Sequence, residues 1–315
     1  MFCGFSTKGP ILAAASEVFV RTSEPPKLHP IARLRELIGA REILSNLVRK
    51  DVKVKYKSSV LGLAWSMLNP ILYLGVFTLV FTVVLPNKVP SFPVYLLSGL
   101  LAWNLFSSSL SFAARSVVDN GNLVNKVYFP REALPLASMG TALVDFSLQA
   151  LVLSAFMLVF RYRFWGINLL LLPLAFVALL AFTNALALWV SALNVRYRDT
   201  QHLVQLALLL WFWFTPVVYP SGFLVSGRLA NRHLFGVSLY HLILANPMTD
   251  IVIGFQRALY RVVTPSGAGG QPILLPVSLG WMAMVLGVVA IGSMLLLLLC
   301  WRAFFHMSGD FAEEL

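Results

Sequence analysis

The chain has 315 residues, 58% hydrophobic and only 12% charged, with a mean hydropathy of +0.79. That charged share is about half of what soluble domains carry, too little polar surface to coat a water-soluble globule, so composition points to an integral membrane protein. The formal charge of +11 is not read as a nucleic-acid footprint, because the bases flank apolar segments. Anionic lipid headgroups and lipid-linked phosphates are the expected counter-charges.

In chain order, residues 1–29 read as a cytoplasmic tail, disordered and broken by Pro25 and Pro26, with Pro30 at its edge. Its best apolar stretch, Ile11 to Val20, is interrupted by Ser16 and Glu17, so it is not read as a cleavable signal. Residues 30–57 are expected to form an amphipathic interface helix ending in a basic segment. At 100° per residue Ile31, Leu34, Leu37, Ile38, Leu44 and Val48 share one face, with Arg41 and Ser45 intruding. Such a basic amphipathic helix lies in the membrane interface or packs on a partner. Then "RKDVKVKYKSSVLGLAWSMLNP" sets Arg49, Lys50, Lys53, Lys55 and Lys57 against an apolar run. These bases act first as a positive-inside anchor.

Six segments are long and apolar enough to cross a bilayer, at about 61–85, 92–117, 133–160, 168–193, 203–219 and 273–301. The expected fold is therefore an all-α integral membrane protein, with a six-span domain over 58–302 and a tail over 303–315, since an open sheet edge cannot face hydrocarbon. With the N-terminus inside, 17 of the 24 Lys and Arg fall on the cytoplasmic side and 7 outside. That bias places both termini in the cytoplasm. The loop between spans five and six is long. Over about 222–262 it holds apolar pieces too short to span, including a helix from about Met248 to Tyr260 with Asn246 and Pro247 as cap and first-turn proline. These read as re-entrant or external cap helices.

The acid well inside a span is Asp145, with Gln149 one turn on. An intramembrane carboxylate is costly. It faces a cavity or partner, or serves as a hydrogen-bonded helix contact. Two cytoplasmic connections are well furnished. "VVDNGNLVNKVYFPREALP" offers Asp119 and Asn122 in a turn, then a short helix from Leu123 to Tyr128 carrying Lys126, ended by Phe129 and Pro130 before Arg131. "NVRYRDTQHLVQ" offers Arg196 and Arg198, with Asp199 or Thr200 to cap span five. A short exposed helix between spans is a grip for a soluble subunit.

Phosphate-loop, dinucleotide, zinc-helix and nucleophile-elbow motifs are all missing from the sequence. The cysteines, Cys3 and Cys300, lie near opposite chain ends with no ligand cluster around them. No metal, cofactor or catalytic residue is expected in this chain. A membrane-embedded glycosyl- or phosphotransferase would need acidic clusters, and an ion-coupled flippase more buried charge.

"DVKVKYKSSVLGLAWSMLNPILYLGVFTLVF", "NKVYFPREALPLAS", "NVRYRDTQHLVQ", "WFWFTPVVYP" and the closing "FAEEL" resemble the membrane subunit of ABC exporters for O-antigen, teichoic acid and related cell-envelope polysaccharides. The resemblance covers nearly the whole chain after residue 30. It implies a homodimer of six-span subunits in the bacterial inner membrane with two copies of a separate ATPase, which binds ATP and Mg. It also implies an interface helix, re-entrant helices before span six, and a coupling helix between spans two and three, which assigns coupling to Asp119–Arg131 with Arg196, Arg198 and Asp199. The substrate it implies is a polyprenyl-pyrophosphate-linked polysaccharide. Arg49, Lys50, Lys53, Lys55 and Lys57 would meet its headgroup as point charges. Trp65, Tyr73, Trp103, Trp211, Trp213 and Tyr219, with Asp145, are candidates for a glycan path, since aromatic rings stack on sugars.

Overall fold

A computed structural model describes residues 30–57, 62, 64–80, 89–126, 129–162, 165–225, 233–234, 237–264 and 272–314. The expected tail, both ends of the first expected span, and Tyr128 lie outside these. The basic N-terminal stretch forms two helices, α1 (Pro30–Gly39) and α2 (Arg41–Tyr56). The expected single amphipathic helix breaks at a turn on Ala40. That break resets the helical phase, so the packed stripe of α2 is Leu44, Leu47 and Val48, while Ile38 is 60% exposed.

Helices α3 (Ala64–Leu79), α4 (Phe92–Ser116), α5 (Gly121–Lys126), α6 (Ala133–Val159), α7 (Leu171–Arg196) and α8 (Thr200–Phe214) follow. A two-stranded hairpin of β1 (His233–Leu234) and β2 (Val237–Ser238) departs from the all-helical expectation. Then come α9 (Leu239–Leu244), α10 (Pro247–Leu259), α11 (Leu279–Met307) and α12 (Phe311–Glu314).

Among the described residues four helical segments are long and apolar enough to cross a membrane: Phe92–Ser116, Ala133–Val159, Ile167–Arg196 and Leu279–Met307. The other two expected spans are shorter. The described part of the first, α3, has 16 residues, and α8 has 15. At 1.5 Å per residue that is about 24 and 22 Å, against roughly 30 Å of hydrocarbon. The expected fifth span stops at Phe214 because Pro216 drives Thr215 out of helical geometry, to φ −104° and ψ 130°.

α4 is the central helix. Small residues on it (Ser98, Gly99, Ala102, Ser109, Ala113, Ala114) are buried against α6, α7 and α10, which lets backbones approach closely. At Gly99 a Cβ would stand 2.7 Å from the Gln256 amide nitrogen and 3.3 Å from the Val217 carbonyl oxygen. α10 is only 13 residues long yet buried along almost all of its length against α4, α7 and α11. Its cap forms as the local sequence predicts: Asn246 Oδ1 accepts the Met248 N–H at 3.0 Å, with Pro247 in the first turn. Protein from α4, α7 and α11 covers most of α10.

Tyrosine hydroxyls tie the end of the bundle at which α10 finishes. Tyr260 donates to the Pro90 carbonyl at 2.7 Å, Tyr95 donates to the Tyr219 carbonyl at 2.6 Å, and Tyr162 donates to the Tyr260 carbonyl. Burial raises the Tyr162 phenol above its ordinary range, which keeps it a donor.

Candidate functional site

Two sets of predicted residues come together at or towards the opposite end, where α5 and α12 lie. The first is built on α2 and α6. Gly140 of α6 admits Val48 of α2 so closely that a Cβ there would lie 2.5 Å from Val48 Cγ2. Further along, Lys55 Nζ reaches Asp145 Oδ2 at 2.5 Å, and the Tyr56 hydroxyl donates to Asp145 Oδ1 at 2.7 Å. The Asp145 side chain is 8% exposed and that of Lys55 32%. An acid of the expected path and a base of the expected headgroup site are thus each other's partners. Burying a carboxylate without an ammonium would be far more costly. Gln149 is engaged elsewhere, accepting from Asn104 of α4 at 2.8 Å.

Asp145 is twelve residues beyond the start of α6, about 18 Å along its axis. α2 therefore does not end at the level where α6 begins. It climbs α6 to the level of its middle.

Below the ion pair lies a cleft of about 380 Å³, lined by Lys50, Lys55, Phe112, Arg115, Asp119 and Thr141 among others. Its charges are matched. Lys50 donates to Asn120 Oδ1 at 2.6 Å and lies 3.5 Å from Asp51, and Arg115 lies 3.7 Å from Asp119. Lys55 and Arg115 sit 5.3 and 5.6 Å from the centroid of the Phe112 ring. Arg49, Lys53 and Lys57 are exposed outside this network.

The second set is the pair of connections at this end. The described part of α5 covers Gly121–Lys126, so it begins two residues before the expected Leu123. Asn122 and Lys126 are exposed on it, while Val124 is buried. Phe129, expected as an exposed anchor, is 7% exposed. Its ring enters a small apolar core with Val117, Leu134, Val195, Phe304 and Phe311, and Pro130 is buried beside it. Arg131 donates to the Ser308 carbonyl at the end of α11, and burial lowers its guanidinium from the ordinary range. Arg196 and Arg198 are exposed, and Arg196 stands over the Tyr197 ring at 5.8 Å. Asp199 is the residue before α8 but its side chain makes no cap bond. Instead Asn194 of α7 accepts the Gln201 N–H at 3.1 Å.

Sequence reasoning missed Glu132, which is 2% exposed. Arg33 Nε lies 3.9 Å from it and Trp301 Nε1 donates to it at 3.4 Å. Arg33 also lies 4.6 Å from the Phe305 ring centroid. The available signal was an acid next to Arg131 with no nearby base left over to neutralise it.

The six aromatics divide. Trp103 is buried and packs on Phe106 and Phe212 with centroids 5.6 and 5.4 Å apart. Trp211 packs on Phe106 at 5.2 Å and donates to Asn246 Oδ1 at 2.9 Å. Trp103 thus lies in the core and Trp211 packs against it, partly buried. Trp65, Tyr73 and Trp213 are about half exposed, and Tyr219 is partly buried. A separate groove of about 660 Å³ between α4, α6, α7 and α10 is wholly uncharged, lined by Phe146, Met157, Phe176 and Phe255 among others. Among the described residues no group of three or more His, Cys, Asp or Glu is placed to hold a metal ion.

A bundle of long apolar helices with ordered loops and ion pairs at one end defines a polytopic membrane protein rather than a soluble enzyme. The chain matches the ABC-2 type transporter family over residues 43–260 and belongs to it. It is 36% identical over 232 residues to the O-antigen export system permease protein RfbA of Myxococcus xanthus, covering 73% of this chain and 85% of that protein. It is 32% identical over 185 residues to a Klebsiella pneumoniae protein of the same name, covering 57% of this chain and 70% of that one.

Proposed function

We propose that the chain is the membrane subunit of an ATP-driven exporter that moves a polyprenyl-pyrophosphate-linked polysaccharide, of O-antigen, teichoic acid or galactan type, from the inner to the outer leaflet of the bacterial cytoplasmic membrane. The observation that carries this is the 36% identity to an O-antigen export permease, which runs over 85% of that protein. In this reading α3 and α8 complete six crossings, α10 is re-entrant, and both termini are cytoplasmic. Protein cover on α10 supports its place, since a short helix at membrane depth needs protein around it. Two copies assemble with two ATPase subunits, which bind ATP and Mg. The sequence has no phosphate loop of its own.

The exposed bases Lys53 and Lys57 are the headgroup contacts of choice, with Lys55 engaged to Asp145 until a competing phosphate arrives. α5, Arg196 and Arg198 face the ATPase. The test uses inverted membrane vesicles with the lipid-linked glycan and the co-expressed ATPase. Translocation is expected to require ATP and the ATPase. Robust ATP hydrolysis by the purified chain alone, or export that persists without the ATPase, would overturn the proposal.

A further inference from the structure

We propose that the C-terminal segment Ser308–Glu314 is part of the surface that holds the ATPase, with Phe311 as the positioning residue that seats α5; this rests on the exporter reading above. The segment after α11 is held by specific contacts. Phe311 is 1% exposed, four positions after Met307 at the end of α11, and its ring meets Phe304 edge-on at 5.5 Å. Arg131, at the start of α6, grips the Ser308 carbonyl. α12 lies against both α5 and α7.

The consequence falls on α5. A helix of six residues cannot hold itself in water, because nucleation costs more than so few bonds return. Its position must come from tertiary contacts. Val124 is the buried residue of α5, and it shares one apolar core with Phe311 and with Val195 at the end of α7. Two connections 70 residues apart in sequence are thereby fixed to each other through the tail. Around this core the exposed groups are Lys126, Arg196 and Arg198 on the loops and Asp310 and Glu314 on the tail. A protein partner presenting both signs of charge fits such a face. A uniformly acidic or basic one does not.

The experiment co-expresses the full chain with its ATPase. It compares wild type, Phe311→Ala, Phe311→Leu and a truncation after Phe311. Three readouts are taken: ATPase retained on purification, thermal unfolding of the purified chain, and anisotropy of a fluorophore on Asn122→Cys in α5. Phe311→Ala is expected to weaken ATPase retention by about tenfold or more, as loss of an anchor does, and to loosen the α5 probe, with the unfolding midpoint falling as a buried ring is lost. Phe311→Leu is expected to restore most of both, and it decides the matter if the alanine variant does not accumulate. The truncation keeps Phe311, so the probe should stay rigid while retention falls through loss of Glu314. Full retention in Phe311→Ala, or weakened retention with a rigid probe, overturns the positioning role. Failure of the wild-type chain to retain any ATPase overturns the exporter reading instead.

Discussion

α6 carries two buried acids, and the N-terminal helices answer each of them differently. Glu132, at its start, has Trp301 as a donor, Arg33 at 3.9 Å, and the charge of the adjoining Arg131. Asp145, in its middle, has Lys55 at 2.5 Å with the Tyr56 hydroxyl beside it. The first acid is held by several groups from three elements, none of them at ideal geometry. Among the described residues the second has Lys55 and Tyr56, both supplied by α2. The first arrangement draws on more elements than the second. Loss of Lys55 should therefore be felt more sharply at Asp145 than loss of Arg33 at Glu132.

The strongest way to break this comparison is to prise α2 off α6 between the two points. Gly140→Leu places side-chain atoms where Val48 already sits. Overpacking of that kind costs about 3 kcal/mol, and both acids lose their N-terminal partners. Thermal unfolding in detergent should fall accordingly, and labelling of a cysteine at the buried position 47 (Leu47→Cys) should rise. A variant as stable as wild type would mean that α2 does not dock at Gly140.

Next in size is Lys55→Gln, which strands a carboxylate that is 8% exposed. Removing one member of a fully buried pair costs 3–5 kcal/mol, and the partial exposure of Lys55 brings the expectation down to about 2 kcal/mol. Asp145→Asn added to Lys55→Gln should recover most of the loss, because both charges are then gone. A double-mutant cycle with no coupling energy would remove the ion pair from the account.

Arg33→Gln should be the smallest, below about 1 kcal/mol, since Trp301 and Arg131 still face Glu132. Stability measurements that rank Arg33→Gln above Lys55→Gln would reverse the comparison.

What was legible in the sequence follows from how far each residue's partner lies. The Asn246–Pro247 cap was readable because its acceptor and donor are two positions apart. The long apolar helices were readable because composition alone carries them. Lys55 and Asp145 were each singled out, but not as partners, because 90 positions separate them. Glu132 and Trp301 are 169 apart, and neither drew notice for the other. Phe129 was read as ending an exposed loop helix, yet it shares a core with Phe304 and Phe311, far along the chain. The cap on α8 went to Asn194 rather than Asp199, because a turn between helices brings a third side chain within reach. Hydropathy also carried the fifth expected span past its true end, as apolar residues continue beyond Pro216 while helical geometry does not.

The separation between Lys55 and Asp145 also sets an order of events during synthesis. A chain growing at about 5–20 residues per second needs roughly 5–18 seconds to add the 90 positions between them. Through that interval α2 and α3 are already made while the carboxylate that holds α2 does not yet exist. Until α6 is made, the ammonium of Lys55 has no Asp145 to pair with. α2 is thus among the early helices to be made and among the later ones to be held in place.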